Sequence, residues 1–536
     1  MWHAKPLSSI LLLALAVRLL AVFFAPGFFW HDDHFLTVEP AASWAMGHNF
    51  NDWLPGIGNE RTSPEPISFF YLSFLFLFFK MFQFIGIENP ETQMYVMRLI
   101  HACYSLLIVY YGYKITEKIS SKQNAIEVGV LLTFIAVLPN FSVRNLVEMV
   151  CVPPLMAGIF LLVGRQWSAG SGHPDSYQEK VGTIPKVVTS SKRPTLQRGI
   201  SPYRHIFFSA LLMGLAVGIR YQAVLIVAGV GLVLLIQKQF RAAVLFGVVS
   251  FVAFFITQMD DVLWWGGQPF QHLLGYFGYN TANASGYPGS PFAYFSFIGY
   301  FILPPVSLFL AFGFFRRWKK ELLIFLPVFL FLLFHFIYPN RQERFILPAL
   351  PFVVMLGVIG WNEFVFGSKF WLHRKKLLSG CWKFFWVMNT VVMLVFCFTS
   401  GKKARVEAVS YLYDQGDCKN FIQEFSHKEG ASQVPQFYSG AWPSYYIFRN
   451  STDVESVVAA MPRNEEVRRN MLHNMPVPNY ILFYDDEKLD ERVARLKTLF
   501  PSLTFKTTIM AGWFDKMLHR LNDKNQVERV HVYKME

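Results

Sequence analysis

From Ile10 to Ser400 the chain keeps returning to apolar runs that approach the roughly 20 residues a helix needs to cross a bilayer. They fall at 10–26, 67–86, 96–113, 126–139, 146–164, 205–219, 222–237, 242–258, 291–314, 321–338, 345–362 and 382–400. In lipid every backbone N–H and C=O must find its partner within the protein, so such runs fold as helices. The chain is therefore read as a mainly α, polytopic membrane protein. Its composition agrees, with 53% hydrophobic and only 16% charged residues. The net charge of +13 is then no sign of a nucleic-acid partner. Lys and Arg of membrane proteins collect in cytoplasmic loops and fix orientation.

Loop charge sets the topology. If every run crossed from a cytoplasmic N-terminus, Lys114, Lys118 and Lys122 would face outward. So would the loop 165–204, which carries Lys180, Lys186, Lys192, Arg193, Arg198 and Arg204. Both placements break the positive-inside rule. One change repairs them: 67–86 lies along the outer interface instead of crossing. This stretch is rich in Phe (Phe69, Phe70, Phe74, Phe76, Phe78, Phe79) and opens with Pro64 and Pro66, which suits a helix in the interface plane. Lys238, Arg241, the cluster Arg316, Arg317, Lys319, Lys320, and the segment 363–381 then also become cytoplasmic. About 11 transmembrane helices remain. The first run has only Lys5 before it and no small-residue cleavage site after it, so it is expected to be retained.

After Ser400 the sequence turns polar. Residues 1–400 are expected to form a transmembrane domain and 401–536 a soluble C-terminal α/β domain on the outer face. Its elements are expected as a helix over 404–425, strands at 434–439 and 479–484, a helix over 487–500, and strands at 504–510 and 527–533. Cys103, Cys151, Cys381 and Cys397 lie in or beside apolar runs, and only Cys418 lies in the tail, so no disulfide framework follows. No HExxH or CxxC spacing occurs; no metal and no cofactor is expected.

With this topology, acids and arginines from distant segments reach one face. The stretch His31-Asp32-Asp33-His34-Phe35-Leu36-Thr37-Val38-Glu39-Pro40 follows the first span. Adjacent carboxylates at a membrane mouth repel each other and resist desolvation, which suits a general base. One of them could instead cap a helix over 35–46. Arg144 and Glu148, four apart, could pair with each other on a helix. Arg220 nearly bisects an apolar run and needs a carboxylate or a phosphate. Asp260 and Asp261 follow another span. Arg341, Glu343 and Arg344 open the last-but-one span, at the depth of lipid headgroups. A guanidinium fork there can bind phosphate, or simply snorkel.

These segments resemble the glycosyltransferases of the GT-C class, and within it the family 22 mannosyltransferases of N-glycan and GPI-anchor assembly. Asp32-Asp33-His34-Phe35 with Glu39-Pro40 stands where that family carries an acidic pair, an aromatic and a Glu. Asn340-Arg341-Gln342-Glu343-Arg344-Phe345 is similar to its His-Lys-Glu-Glu-Arg-Phe motif. Asp261-Val262-Leu263-Trp264-Trp265-Gly266, running on to Tyr279-Asn280, is similar to its Asp…Phe-Tyr-Gly…Asn segment. Arg144 to Glu148 and Arg220-Tyr221-Gln222 fall in matching order. The resemblance covers 27 to about 350. Asp-Asp replaces the family's Asp-Glu, and Asn340 and Gln342 replace His and Glu. In the tail only 437–446 is loosely similar.

The resemblance implies a GT-C-like membrane catalytic domain, with a helix along the outer face after the first loop. It implies transfer of a sugar, with mannose first, from a polyprenyl- or dolichyl-phosphate donor to a glycan or glycolipid acceptor, with inversion. Asp32 or Asp33 would be the base, with Asp32 favoured. Arg344, Arg220 and Arg341 would hold the donor phosphate. His31, Glu39, Arg144, Glu148, Asp261 and Glu343 would contact the acceptor or support the site. A lipid A-modifying or protein O-mannosyl transferase shares the pattern. A transporter or flippase would call for repeat symmetry between halves, which the sequence lacks. The protein would sit in a bacterial inner membrane or the ER membrane, among membrane lipids, with its site on the outer or lumenal face.

Overall fold

The computed structural model describes residues 5–50, 67–163, 202–283, 292–426, 433–443, 445–449, 478–521 and 529–535. Pro64, Pro66 and most of the basic loop 165–204 lie outside the described residues. Helices α1 (Pro6–Phe24), α2 (Asp32–Phe35), α3 (Val38–Ala45), α4 (Phe69–Phe84), α5 (Pro90–Ile119) and α6 (Lys122–Phe134) build the first part. Then come α7 (Leu138–Phe141), α8 (Val147–Val150), α9 (Val152–Leu162), α10 (Pro202–Ile219), α11 (Val224–Ile236), α12 (Phe240–Thr257), α13 (Asp260–Trp265) and α14 (Gln271–Ala282). The bundle closes with α15 (Ala293–Phe301), α16 (Val306–Arg316), α17 (Leu322–Ile337), α18 (Leu350–Gly367), α19 (Lys369–His373) and α20 (Lys375–Cys397).

Local chemistry marks several starts. Proline occupies the first turn of α1, α5, α9 and α18, where its missing N–H costs nothing. Asn89 caps α5 by accepting from the Thr92 amide at 2.9 Å. The single run 291–314 becomes two helices, α15 and α16, because Pro304 and Pro305 interrupt it. Close approach of α16 to α18 rests on glycine: a methyl group at Gly313 would meet the Gly357 carbonyl oxygen at 2.0 Å.

Among the described residues, five helices are long and apolar enough to cross a bilayer: Pro6–Phe24, Pro90–Ile119, Phe240–Trp264, Glu343–Gly367 and Lys375–Cys397. Six further apolar helices are shorter, α4 among them. Helix length by itself therefore supports fewer crossings than the expected eleven. Helix α4 packs on α3 through Phe69 and Trp44 and is tied to α13, where the Trp264 indole donates to Ser73 Oγ at 2.8 Å.

The C-terminal part contains α21 (Lys403–Gln415), β1 (Phe421–Phe425), a 3-10 turn (Gln436–Ser439), β2 (Tyr445–Arg449), β3 (Tyr480–Tyr484), α22 (Leu489–Leu499), β4 (Leu503–Ile509), α23 (Trp513–Leu521) and β5 (Val530–Met535). The sheet runs β2-β1-β3-β5-β4, parallel across β2, β1 and β3 and antiparallel at β5 and β4. Strand side chains alternate between faces. Ile481 and Phe483 pack under Val493 and Leu496 of α22. Tyr480, Leu482 and Tyr484 face the other way and share one core with α21, the 3-10 turn and the membrane bundle. The expected helix 404–425 is corrected: it stops at Gly416, whose φ of +69° ends the helix, and the remainder is β1. The expected strand 434–439 is the 3-10 turn, set between Pro435 and Gly440.

Candidate active site

The C-terminal end of α1 leads into a tight crossing. Gly27 has φ +79°, and a methyl group there would strike the Gly401 carbonyl, so the ends of the first and last long helices are pinned together. Five residues after Gly27 the chain enters α2, with Asp32 and Asp33 in its first turn. No side chain caps α2 or α3, so the alternative of an aspartate cap for a helix over 35–46 is not what forms. Asp33 is buried, accepts from the Phe29 amide at 3.4 Å through Oδ2, and leaves Oδ1 without a hydrogen-bond partner among the described residues. Burial raises its pKa to about 6, against the opposing pull of Arg144. Asp32 is 48% exposed.

The basic side comes from elsewhere. After α17 the chain enters a 3-10 turn, Glu343–Ala349, that carries Arg344. Arg344 Nη2 donates to Asp32 Oδ2 at 2.5 Å and to Gln342 Oε1 at 2.7 Å. Its Nε stands 3.6 Å from Glu148 Oε1. Glu148 also takes Arg220 Nη1 at 3.0 Å. Arg220 is extended (φ −143°, ψ 113°) between α10 and the 3-10 turn Tyr221–Ala223, which is why it splits the apolar run. Both guanidinium groups pack over the Phe345 ring, at 5.0 Å and 5.5 Å from its centre. Nε and Nη2 of Arg220 are buried without a hydrogen-bond partner among the described residues.

These groups border a cavity of about 380 Å³, lined by Asp32, Asp33, Glu148, Arg220, Asn145, Tyr276 and others. Two arginines and two carboxylates alternate as Arg220, Glu148, Arg344, Asp32, and all but Arg344 line the cavity. Such a row offers donors to an anion and a carboxylate to a hydroxyl within one enclosed space.

The family model for Alg9-like mannosyltransferases matches residues 9–429. The chain belongs to that family. It is a glycosyltransferase and an integral membrane protein. No curated protein matches it. Among solved structures it resembles ArnT from Cupriavidus metallidurans bound to undecaprenyl phosphate, with a TM-score of 0.58 at 12% identity, over 99% of this chain and 98% of that one. It also resembles the archaeal oligosaccharyltransferase AglB from Archaeoglobus fulgidus in complex with an inhibitory peptide and a dolichol-phosphate. There the TM-score is 0.52 at 12% identity, over 90% of this chain and 70% of that one. These likenesses place the fold among the GT-C enzymes.

In this glycosyltransferase fold, His31, Asp32, Asp33, Glu148 and Arg220 line the cavity, and Arg344 lies directly behind it. The other candidates stand apart. Arg341 folds back onto the Phe336 carbonyl at 3.0 Å and does not line the cavity, because the end of α17 leaves carbonyls for it to cap. Arg144 does not pair with Glu148: it donates to the carbonyls of Ala25 and Gly27 and to Asn140. No helix runs from 144 to 148, since α8 starts only at Val147, so the four-residue spacing loses its meaning. Asp261 pairs with His272 at 2.7 Å, and Glu343 accepts from the Trp30 indole at 3.0 Å. Glu39 is buried between His34 (2.9 Å) and the Phe437 amide (3.1 Å), where it fastens the C-terminal part to the segment after α1. Tyr276 and Asn145 were not singled out, because an uncharged side chain in an aromatic or apolar stretch gives no signal until the fold aims it.

Proposed function

We propose that the protein transfers a sugar, mannose by its family, from a polyprenyl-phosphate carrier to a hydroxyl of a glycan or glycolipid acceptor. Transfer takes place at the outer or lumenal face. The observation that carries this reading is Arg220: a buried guanidinium with two unpaired donors, lining the cavity that also holds Asp32. An anion is what such donors require. The bound undecaprenyl phosphate and dolichol-phosphate of the two neighbours support a lipid phosphate as that anion.

In this mechanism Asp32 removes the proton from the acceptor hydroxyl as its oxygen attacks the anomeric carbon. The bond from that carbon to the phosphate oxygen breaks on the opposite side, so the anomeric centre inverts. The electron pair leaves on the lipid phosphate, which meets Arg220. Arg344 holds Asp32 in place and, with Glu148, fixes Arg220. The single charge of a sugar phosphodiester needs fewer cationic donors than a diphosphate, and Arg220 is the arginine that lines the cavity. No metal is assigned a role.

The test is purified protein in lipid nanodiscs with either a polyprenyl-phosphate-linked or a nucleotide-linked mannose, compared by mass spectrometry of the glycolipids formed. Product only from the lipid-linked donor is expected. Product from the nucleotide sugar alone would overturn the proposal.

A further inference from the structure

Arg98 stands on α5 with Glu91, Met94 and Tyr95 on the same side, all four lining a second cavity of about 170 Å³. Only 3% of Arg98 is exposed. Its Nε has no hydrogen-bond partner among the described residues, and its guanidinium rests 4.6 Å from the centre of the Tyr95 ring. A buried guanidinium without a partner is costly, so one that persists points to something that binds there.

The surroundings sharpen the point. Behind Arg98 a small void is lined by Arg98, Arg144 and Asp33. Arg144 is equally buried and is satisfied by neutral oxygens, the carbonyls of Ala25 and Gly27 and the side chain of Asn140. Arg98 and Arg144 are like charges beside this void, and on the cavity side Arg98 and Lys403 stand with Glu91 and Glu407. On the cavity side the far wall belongs to the C-terminal part. Tyr438 lines it, with its hydroxyl buried and unpartnered. Lys403 and Glu407 of α21 pair at 3.4 Å and are 41% and 47% exposed, which puts them at the rim.

We propose that this cavity is a second anion site that takes a phosphate group, as a phosphomonoester or phosphodiester. Arg98 donates from the bundle, Tyr438 from the C-terminal part, and Lys403 neutralises charge at the mouth. Donors carried by two separate elements, α5 and the 3-10 turn Gln436–Ser439, suit a tetrahedral oxyanion, whose oxygens point in several directions, better than a flat carboxylate. The cavity lies where α1, α5 and α20 end, between Pro26 and Gly401. Ends of apolar helices meet there, so the phosphate can come from a phospholipid headgroup or from solution. A bound phosphate would also join α5 to α21 and so clamp the C-terminal part onto the bundle. The site shares no lining residue with the catalytic cavity.

The experiment follows the thermal midpoint of delipidated full-length protein in phosphate-free detergent, titrated with inorganic phosphate or with short-chain phosphatidic acid. A saturable rise with either titrant is expected. A rise with the lipid only assigns a headgroup, and a rise with inorganic phosphate assigns the soluble ion. Arg220→Gln removes the phosphate donors of the catalytic cavity, and a saturable rise should remain in it. In that background Arg98→Gln should abolish the rise. Tyr438→Phe removes only a hydroxyl unpartnered among the described residues, keeps the fold, and should raise the half-saturating concentration about tenfold. No rise with either titrant overturns the proposal, as does a rise unchanged in Arg98→Gln and Tyr438→Phe or one lost in Arg220→Gln.

Discussion

Arg344 Nη2 lies 2.5 Å from Asp32 Oδ2, although 312 residues separate them in the chain. The contact joins the loop after the first span to the 3-10 turn that opens one of the last. A buried arginine, 5% exposed, thus holds a half-exposed carboxylate at the edge of the cavity. The carboxylate can meet a substrate while its position is fixed from behind.

If Asp32 is the base, Asp32→Asn keeps the size of the side chain but removes proton acceptance. Turnover at saturating donor should fall by about 10²–10⁴-fold. Asp33→Asn should cost less, since Asp33 is buried and bonded to the Phe29 amide. Near-normal turnover of purified Asp32→Asn would rule out this assignment.

Arg344→Lys keeps the charge and loses the fork. A lysine ammonium cannot span Asp32, Gln342 and Glu148 at once, so activity should drop while membrane insertion and expression persist. Activity and detergent-extracted yield, measured together, decide this. Full activity in Arg344→Ala would remove the role given to Arg344.

Glu148 takes both buried arginines, so Glu148→Gln leaves two guanidinium groups without their shared anion. Breaking a buried pair in this way costs about 3–5 kcal/mol. A lower thermal midpoint is expected, together with a loss of activity. An unchanged midpoint would mean that Arg220 and Arg344 find other partners.

Asp33 gives a pH dependence. An unfolded Asp titrates near about 3.9; in the fold burial raises Asp33 to about 6. The protonated form is favoured by folding, so its stabilising contribution is complete below about pH 4 and is lost as pH rises through about 6. Two pH units correspond to about 3 kcal/mol. Asp33→Asn should therefore raise the thermal midpoint at pH 7.5 and change it little at pH 4. A variant less stable than the parent at pH 7.5 would contradict this.

The topology is checked in a variant lacking the five native cysteines. A cysteine at the exposed Gln123 should be shielded from an impermeant thiol reagent in intact cells or sealed vesicles of native orientation. One at the exposed Glu491 should label. The reverse pattern would place the site on the cytoplasmic face.

The sequence by itself determined the class of the protein. Long apolar runs in a chain with few charges leave no other solvent than lipid, and the order of acidic and basic motifs was enough to mark the family. Strand 480–484 and helix 489–499 were also legible, since a short run of aromatic and aliphatic residues and a charged helical face are local properties. The helix expected over 404–425 ends at Gly416, whose stop signal stands in a polar tail with no apolar period to mark the boundary. Strand β2 and helix α23 gave no local signal strong enough to name. What only the tertiary structure decided is the partner of each charge. Burial dictates that Arg220, Arg344 and Arg144 must be satisfied, but many acceptors would do, and spacing along the chain suggested Glu148 for Arg144. Helix packing instead brings Glu148 to Arg220 and Arg344, turns Arg341 back onto the end of α17, and leaves Arg98 facing a cavity. An ion pair is chosen by which groups the packed helices hold within a few ångströms of each other, and that distance is not written in any one segment.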